Sequence, residues 1–380
     1  MLRVAVNAVP LRSPLTGVGQ YIRQLMEAIE ARGDVEARYF YASHWGRKVV
    51  ASPVAAIDEV KRAVKKILPY PYVVTRAAQR LVFAGGTRLF RPHLYHEPNY
   101  VAFPFRGPTV VTIHDLSFVH HPGSHPRERI EFFTRYLPRT LEQATHVITD
   151  SETVRREVLA HFGLDPRRVT AIPLGVGAEF APRTAVQTTP VLAKHGLVHQ
   201  RYVLSVGTLE PRKNLALAIR AWASLPAAAR DGRPLVVAGM KGWLHDELVE
   251  LVERLEREGI VRSLGFVPQE ELPFLYAGAL ALAYPSRYEG FGLPVVEAMA
   301  CGVPVIAANA SCLPEIAGGA AQLVDPDDEE AMREALRGLL EDDSRREQLS
   351  RAGIERAKAF TWPTCAQRTV DLYRQVVNQT

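Results

Sequence analysis

Short apolar segments of strand length alternate with amphipathic segments of helix length along almost all of the 380 residues. This alternation is typical of parallel sheets covered by helices on both faces, because a strand buried on two sides reads as a continuous apolar run. A chain of this length exceeds the usual size of one hydrophobic core, so two domains are expected. The sequence therefore predicts an α/β protein with two doubly wound, Rossmann-like domains.

The alternation divides into two series separated by an irregular stretch. Between Pro173 and Gln200 the periodicity lapses and Pro, Gly, Thr and His accumulate, which predicts a linker over residues 174–200. The predicted strands are at 3–9, 35–41, 109–113, 146–149 and 169–172, and then at 202–206, 234–238, 264–267, 280–284, 303–307 and 321–324. The predicted helices are at 18–31, 127–143 and 152–161, and then at 214–224, 245–258, 270–278, 294–300 and 329–340. We therefore expect domains over 1–173 and 201–362, facing a shared cleft at the carboxyl ends of their strands, where open α/β sheets bind ligands.

Composition places the chain among ordinary globular proteins, with 47% apolar and 23% charged residues. Cys301, Cys312 and Cys365 form an odd set without CxxC spacing, which argues against disulfides and a zinc site and favours a reducing cytoplasm. The N-terminus reads as a strand rather than as a signal peptide. No apolar run approaches the roughly 20 residues of a membrane span, so we expect a soluble, cytoplasmic protein that is free to make peripheral contact with a membrane.

Positive charge is concentrated in one part of the chain. Residues 47–91 contain ten lysines and arginines against two acids, a net +8 within a total of +5, so the remainder carries −3. A predicted helix there places Lys61, Arg62, Lys65 and Lys66 beside an apolar stripe, as in helices that lie on anionic bilayers. The pattern also fits a solvated basic helix, and nucleic acid is a weaker option because no binding motif accompanies the charge. Peripheral membrane contact through 57–91 is therefore a hypothesis.

Two glutamates eight positions apart, Glu289 and Glu297, stand in a turn rich in glycine and proline that joins a predicted buried strand to a predicted helix. Glu289 and the amides of Phe291, Gly292 and Leu293 would lie at the helix N-terminus, which suits a polar, partly anionic ligand. Glu297 would face the same crevice from one turn deeper. Negative charge at a helix start also simply complements the helix dipole, but glycines that open the backbone to a ligand favour a binding site.

Two further loops offer groups that bind phosphate. The loop after the first strand contains Gly17 and Val18, whose amides can approach an anion, although a single GxG is weak evidence. The loop after the first strand of the second series contains Arg212 and Lys213 beside a helix start. Paired cations at such a position form a good diphosphate cradle, and the alternative is a solvated cation pair.

A fourth loop, after the strand predicted at 109–113, begins with His114 and Asp115. A histidine that ends a buried strand is either a functional group or a satisfied core residue. His120, His121 and His125 follow nearby, but their spacing in a Pro-Gly loop does not favour a metal site. We therefore expect no bound metal.

The motifs together resemble the retaining nucleotide-sugar glycosyltransferases of family 4, which have the GT-B fold. The resemblance rests on the two glutamates with their Phe-Gly, the early Gly-Val-Gly, the His-Asp, Pro-Arg-Lys-Asn at 211–214 and Gly-Val-Pro-Val-Ile at 302–306. It covers nearly the whole chain and is most specific between Tyr202 and Asp325. In that family the last helix crosses back onto the N-terminal domain, which implies the same for residues 363–380.

The resemblance implies roles in binding the donor sugar. Glu289 would bind hydroxyls of the transferred sugar with help from the amides of Phe291, Gly292 and Leu293. Glu297 would accept hydrogen bonds from the ribose. His114 would position sugar and acceptor near the anomeric carbon.

The resemblance also implies roles in binding the nucleotide. Lys213 and Arg212, with the amides of Gly17 and Val18, would neutralise the departing diphosphate. The backbone at Phe266 and Val267 would hold the base, and Gly207 and Thr208 would line the donor site. Many relatives carry an arginine where this chain has Thr208, so Arg212 would take over its task.

The implied reaction is a retaining, metal-independent transfer by front-face substitution, in which the leaving phosphate helps to deprotonate the incoming hydroxyl. No pair of carboxylates stands out as the nucleophile and acid of a hydrolase. The chain is similar to bacterial O-antigen mannosyl- and rhamnosyltransferases, which implies a GDP-sugar donor, a lipid-linked saccharide acceptor and a place at the inner face of the cell membrane.

Three alternatives stay open. The first is a family 4 enzyme that uses a UDP-sugar, and the second is a non-transferring GT-B enzyme such as a nucleotide-sugar epimerase. The third is a binding module without turnover, against which the presence of Glu289, Glu297 and Lys213 argues.

Overall fold

The computed structural model describes residues 1–12, 17–50, 71–239 and 246–379. The described residues form two compact units. The first comprises residues within 1–116, 127–175 and 362–380, and the second comprises residues within 117–126 and 176–361. The last helix thus belongs with the N-terminal residues, and a short segment after the fifth strand belongs with the second unit.

The first unit is built on a seven-stranded sheet. Its strands are β1 (Leu2–Asn7), β2 (Val35–Phe40), β3 (Trp45–Gly46), β4 (Leu94–Glu97), β5 (Thr109–Ile113), β6 (His146–Thr149) and β7 (Val169–Ala171). Their order across the sheet is β3-β2-β1-β4-β5-β6-β7. β3 is antiparallel to β2 and all other neighbours are parallel. From β1 the strands β2 and β3 are added on one side, and β4 to β7 are added on the other side. The switch point therefore lies between β1 and β4, which is where such sheets bind ligands.

The second unit repeats this order in a six-stranded parallel sheet. Its strands are β8 (Val203–Val206), β9 (Leu235–Ala238), β10 (Val261–Gly265), β11 (Ala281–Tyr284), β12 (Val305–Ala308) and β13 (Gln322–Val324). Their order is β10-β9-β8-β11-β12-β13. The switch point therefore lies between β8 and β11. The predicted α/β class with two doubly wound domains is confirmed.

Helices connect and cover the strands. In chain order they are α1 (Gly17–Arg32), α2 (Pro71–Phe90), α3 (Ser117–His120), α4 (Arg127–Gln143), α5 (Glu152–Phe162), α6 (Ala185–Leu192), α7 (Leu215–Ser224), α8 (Ala227–Arg230), α9 (Asp246–Arg257), α10 (Leu272–Gly278), α11 (Leu293–Ala300), α12 (Leu313–Ala317), α13 (Glu329–Glu341), α14 (Asp343–Ala357) and α15 (Trp362–Asn378).

Several elements differ from the prediction. β3 and β4 were not predicted, and β10 begins three residues before the strand predicted at 264–267. The stretch predicted as a linker over 174–200 contains α6, which begins with a capping box in which Thr184 and Gln187 exchange hydrogen bonds. The part of the basic segment at 57–91 that precedes α2, residues 57–70, lies outside the described residues.

Each unit has its own core. In the first, the rings of Phe40, Phe83 and Phe103 pack within 5.2–5.3 Å of one another. In the second, Trp222 of α7 is fully buried together with Leu336 of α13. These cores hold the sheets rigid, so that the loops at the carboxyl ends of the strands carry the site.

The last helix is tied to the first sheet by polar contacts. Tyr373 of α15 hydrogen-bonds His96 of β4 at 2.6 Å, and His96 in turn hydrogen-bonds Thr112 of β5 at 2.9 Å. Burial lowers the pKa of His96 to about 3, so the ring is neutral and suited to this chain of hydrogen bonds. At the surface, Arg374 pairs with Asp34 at 2.5 Å.

Candidate active site

The candidate site lies at the switch point of the second sheet. β8 continues into Gly207 and Thr208, and β11 ends at Tyr284, directly before the turn that carries Glu289. Because these two strands are neighbours, both loops emerge side by side. A small crevice opens there. Its walls are formed by Ser205, Val206, Gly207, Thr208, Lys213, Leu215, Val237 and Tyr284.

Glu289 stands at the centre of a dense polar network. Its Oε1 accepts hydrogen bonds of 2.6 Å each from Lys213 Nζ, from the Tyr284 hydroxyl and from the Ser286 hydroxyl. Its Oε2 accepts one bond of 3.3 Å from Arg212 Nη1. The structure thus brings together three residues that the sequence predicted, Glu289, Lys213 and Arg212.

The network keeps Glu289 ionised although it is buried. Burial alone would raise the pKa of its carboxyl group, but the positive charges of Lys213 and Arg212 and the hydrogen bonds to it outweigh burial and lower the pKa to about 2. The same carboxylate, together with burial, raises the pKa of the Tyr284 hydroxyl well above its usual range. Tyr284 therefore stays a hydrogen-bond donor at any physiological pH.

Arg212 is held by contacts on several sides. Its Nη2 donates to Glu210 at 2.6 Å, and its Nη1 donates to the Tyr288 carbonyl at 2.5 Å. The Glu210 carboxylate and the Tyr288 carbonyl thereby fix the guanidinium beside Glu289. This geometry fits the predicted cation pair, because Arg212 is anchored while Lys213 reaches into the crevice.

Glycines stand at the ends of three neighbouring strands, and one of them, Gly207, lines the crevice. Gly207 and Gly239 follow β8 and β9, and Gly265 ends β10. The Gly207 amide donates to the Ala238 carbonyl, and the Gly239 amide donates to the Gly265 carbonyl. A Cβ on Gly239 would lie 1.9 Å from the Gly207 carbonyl oxygen, so only glycine permits this approach. Phe266 and Val267 come directly after Gly265. Phe266 is 63% exposed and Val267 is buried.

The turn before α11 also requires glycine. Gly292 has φ of +90°, and a Cβ there would lie 2.7 Å from Leu313 Cδ2. Phe291 is buried against Phe360, with ring centroids 5.4 Å apart. The helix predicted at 294–300 is present as α11 and begins one residue earlier, at Leu293.

Glu297 lies one turn into α11 in a different environment. Burial raises the pKa of its carboxyl group to about 7, although the neighbouring Tyr276 of α10 works against this, and the charge of Glu179 adds to it. The two glutamates of the motif therefore differ in charge state, since Glu289 is ionised and Glu297 titrates near neutrality.

His114 lies in the first unit, at the end of β5. Its Nδ1 is 2.8 Å from Asp150 Oδ2 and its Nε2 is 2.9 Å from the Pro98 carbonyl oxygen. Burial alone would lower the pKa of His114, but Asp150 and the carbonyl outweigh burial and raise the pKa above its ordinary value. Both ring nitrogens thus face oxygen acceptors, an arrangement that suits an imidazolium with two N–H donors.

The switch point of the first sheet carries another buried carboxylate. Asn7, at the end of β1, donates to both oxygens of Glu97 at 2.9–3.0 Å, and the Tyr95 hydroxyl donates to Glu97 at 2.5 Å. Burial raises the pKa of Glu97 to about 7. Gly17 and Val18 begin α1, and a Cβ on Gly17 would meet no atom within 4 Å, so there is open space beside Gly17.

The sequence did not single out Tyr284, Ser286, Asp150 or Glu97. Tyr284 ends the strand predicted at 280–284, and Asp150 follows the strand predicted at 146–149. Their place at the carboxyl end of a strand was the signal that could have identified them as site residues. Glu97 gave no signal because β4 was not predicted.

No grouping of three or more His, Cys, Asp or Glu side chains suited to a metal occurs in the described residues. The histidines predicted near His114 make contacts with neighbouring side chains. His120 and His121 lie with their rings 5.4 and 5.3 Å from that of Tyr288, and His125 hydrogen-bonds Ser117 at 2.8 Å. Across the described ranges, no helix is both long and apolar enough to cross a bilayer.

Two doubly wound sheets, one with a carboxylate and two cations at its switch point, define an α/β enzyme built from two Rossmann-like domains. Two family models match the chain, Glycosyltransferase Family 4 over residues 15–180 and Glycosyl transferases group 1 over residues 191–356. The chain is 34% identical to the O-antigen chain mannosyltransferase B of Escherichia coli, over 98% of this chain and 100% of that protein. It belongs to the family 4 glycosyltransferases, and the predicted family is confirmed.

Two further comparisons agree with this assignment. The chain is 26% identical to the O-antigen chain mannosyltransferase RfbU of Salmonella typhimurium, over 88% of this chain and 90% of that protein. The structure matches sucrose-phosphate synthase from Thermosynechococcus elongatus with a TM-score of 0.77 at 22% identity, over 100% of both chains. At that identity the likeness concerns the fold alone, and it confirms the predicted GT-B fold.

Proposed function

We propose that this glycosyltransferase moves a hexose, mannose or rhamnose, from a GDP-sugar to a lipid-linked oligosaccharide or polysaccharide during bacterial O-antigen synthesis. The observation that carries the proposal is the network of Glu289, Lys213 and Arg212 at the switch point of the second sheet. It combines a carboxylate that can accept sugar hydroxyls with two cations that can bind a diphosphate. The full-length similarity to an O-antigen chain mannosyltransferase supports mannose.

We propose a front-face substitution with retained configuration. The bond between the anomeric carbon and the donor phosphate oxygen breaks, and a bond from the same carbon to the acceptor oxygen forms on the same face. The proton of the acceptor hydroxyl passes to the leaving phosphate oxygen, so the products are the glycosylated acceptor and the nucleoside diphosphate. Lys213 and Arg212 would stabilise the charge that develops on the diphosphate, and such preorganised donors are typically worth about 3 to 4 kcal/mol each.

The remaining predicted residues fit this reaction as follows. Glu297, with its pKa near 7, would hydrogen-bond the ribose in either charge state. The amides of Gly17 and Val18 would help to bind phosphate, and the backbone at Phe266 and Val267 would contact the base. His114 would help to position sugar and acceptor through the Pro98 carbonyl that it contacts, since both of its nitrogens are engaged. We propose that no metal is required, because Lys213 and Arg212 supply the positive charge.

The donor is testable by thermal unfolding with added nucleotides. We expect GDP at 100 times its dissociation constant to stabilise the protein by about 2.7 kcal/mol. UDP and ADP at the same concentration should have little effect, and a chelator should not change the result. The comparison uses differential scanning fluorimetry of the whole protein with each nucleotide.

The outcomes separate the alternatives. Protection by UDP instead of GDP would replace the donor and keep the enzyme class. Protection that a chelator removes would contradict metal independence. Release of free sugar and nucleotide from a GDP-sugar without any acceptor would favour an epimerase-like enzyme over a transferase.

We also propose that the first unit contacts the membrane peripherally, which would bring the enzyme to a lipid-linked acceptor at the cytoplasmic face. α2 supports this idea with two exposed leucines, Leu81 at 77% and Leu89 at 88%. Arg80 and Arg88 are exposed directly beside them. An amphipathic basic helix of this kind suits the interface of an anionic bilayer.

Charge reversal tests the membrane proposal. Replacing Lys61, Arg62, Lys65 and Lys66 by glutamate should weaken binding to phosphatidylglycerol vesicles at least 100-fold, since each cation near the surface is worth about 1 kcal/mol. Vesicle co-sedimentation measures this. The same reversal at Arg220, Arg333, Arg337 and Arg351 of the second unit should have little effect. Unchanged binding by the first variant would contradict the proposal.

A further inference from the structure

We propose that Tyr284 and Ser286 are positioning residues that hold the Glu289 carboxylate in place while Lys213 leaves it to bind the donor diphosphate. The inference rests on the proposed function, in which Glu289 binds the sugar and Lys213 binds the diphosphate. Tyr284 and Ser286 would hold the carboxylate both before and after the donor binds.

The two oxygens of Glu289 are used unequally. Oε1 receives three donors at 2.6 Å, from Lys213, Tyr284 and Ser286. Oε2 receives one bond, of 3.3 Å, from Arg212. A carboxylate offers about four lone-pair directions shared between its oxygens. Oε1 is therefore saturated, whereas Oε2 has capacity for a further donor, and a sugar hydroxyl would bind there.

The three donors to Oε1 differ in their freedom to leave. Tyr284 is 2% exposed and Ser286 is 0% exposed, so both hydroxyls are enclosed by the protein. The Lys213 side chain is 18% exposed and lines the crevice next to Gly207 and Thr208. Lys213 also donates to the Tyr284 hydroxyl at 3.2 Å. An ammonium has three donors, so one N–H of Lys213 is available to an incoming phosphate.

A diphosphate competes directly with Glu289 for Lys213. Each phosphate oxygen is a strong, charged acceptor, and its pairing with Lys213 would draw the ammonium from the carboxylate. Glu289 would then be a buried anion that has lost its nearest cation, which is costly unless other donors remain. The hydroxyls of Tyr284 and Ser286 are those donors, and Arg212 supplies the remaining positive charge. They would keep the carboxylate ionised with Oε2 directed toward the sugar.

The test uses single hydroxyl deletions in the whole enzyme. Tyr284→Phe and Ser286→Ala should each lower kcat roughly tenfold, as expected for a lost hydrogen bond to a charged group. The dissociation constant for GDP, measured by calorimetry, should change at most about twofold, since Lys213 and Arg212 remain. The matched control is Tyr202→Phe, which deletes a buried hydroxyl of the same unit that donates to the Leu275 carbonyl at 2.5 Å. Its kcat should stay within about twofold of the wild type.

The pH dependence gives a readout that a merely structural role would not move. The titratable and charged groups around Glu289 are Lys213, Arg212 with its partner Glu210, Tyr284, and the Cys312 thiol near Tyr284. Removing the Tyr284 hydroxyl raises the pKa of Glu289, so the acid limb of kcat should move to higher pH. The acid limb of kcat/KM should move less than that of kcat, because Lys213 still pairs with Glu289 in the free enzyme.

Two results would overturn the proposal. One is a kcat within twofold of the wild type in both Tyr284→Phe and Ser286→Ala, and the other is a loss that appears entirely in GDP affinity. Thermal unfolding without donor separates a failure of the positioning role from a wrong donor assignment. Above pH about 4.3 the destabilisation by Tyr284→Phe should be at its largest, and it should shrink toward pH about 2, whereas that of Tyr202→Phe should not depend on pH. If GDP fails to bind but this difference appears, the donor is wrong and the positioning role stands; a difference that does not depend on pH would contradict the positioning role.

Discussion

Lys213→Ala is expected to lower kcat/KM about 1,000-fold and to destabilise the protein by about 3 kcal/mol. The stability loss follows because Glu289, whose side chain is 8% exposed, keeps a single cation, Arg212, at 3.3 Å. A buried carboxylate that loses its partner retains its full desolvation cost. Chemical denaturation measures the free energy of unfolding, and steady-state kinetics measures kcat/KM.

A double variant and a surface pair serve as controls. Lys213→Ala combined with Glu289→Gln should recover most of the stability, because the unpaired charge is gone, but it should not recover activity. Lys194→Ala removes a pair with Glu271 in which Lys194 is 61% exposed, and it should cost only about 0.5 kcal/mol. A Lys213→Ala protein as stable as the wild type would contradict the ion pair as described.

The pH dependence of this pair has a definite sign. The folded pKa of Glu289, about 2, lies below the value of about 4.3 for an unperturbed glutamate. The pair therefore contributes stability above about pH 4.3, and this contribution is lost as pH falls toward 2. The difference in stability between wild type and the Glu289→Gln variant should follow the same course.

Asp150→Asn is expected to lower kcat about 100-fold, a loss comparable to the removal of one preorganised electrostatic group. Asparagine preserves the shape and can still accept a hydrogen bond from His114, but it removes the negative charge that raises the pKa of the imidazole. The buried ring then becomes neutral and can donate to only one of its two acceptors. The alkaline limb of the pH–rate profile should move to lower pH, which steady-state kinetics across pH would measure.

Stability gives an independent check of the same pair. Because the folded pKa of His114 is raised, its contribution to stability is fully present below about pH 6.5 and is lost as pH rises through the folded value. This holds down to the pH at which Asp150 is itself protonated. His146→Gln is the matched control, since His146 is a buried, neutral histidine bonded to Thr170 at 2.8 Å, with its pKa lowered to about 4 by burial. A kcat unchanged in Asp150→Asn would remove His114 from the proposed reaction.

Much of the second unit could be predicted because its chemistry is local in sequence. Glu289, the Phe-Gly and the helix start at Leu293 lie within one short turn, and Gly292 is required there by its φ of +90°. Arg212 and Lys213 lie far from this turn in sequence, and their proximity to Glu289 could be inferred only from the expected order of the strands. The actual contacts, down to the three donors on Oε1, depend on β8 and β11 being neighbours.

The first unit was less predictable for a related reason. β4 is a short strand that ends in His96 and Glu97, and polar residues of this kind read as a loop. They are tolerated in a buried strand because Tyr373, Thr112 and Asn7 supply hydrogen bonds from other parts of the chain, in addition to the Tyr95 hydroxyl of the same strand. No local pattern contains that information. Missing β4 also hid the role of Pro98, whose carbonyl engages His114.

The sequence by itself determined the class of fold and the positions of most strands and helices, because apolar periodicity and turn residues act over short distances along the chain. It also determined which turns carry charge, including the two glutamates and the Arg-Lys pair. Only the tertiary structure decided the charge state of each group. Glu289 is ionised because Lys213 and Arg212 reach it, and the pKa of Glu297 is raised to about 7 because no cation offsets its burial among the described residues. The pKa of His114 is raised because Asp150 lies beside it. A pKa depends on burial and on neighbours brought together by folding, and neither can be read from the order of residues alone.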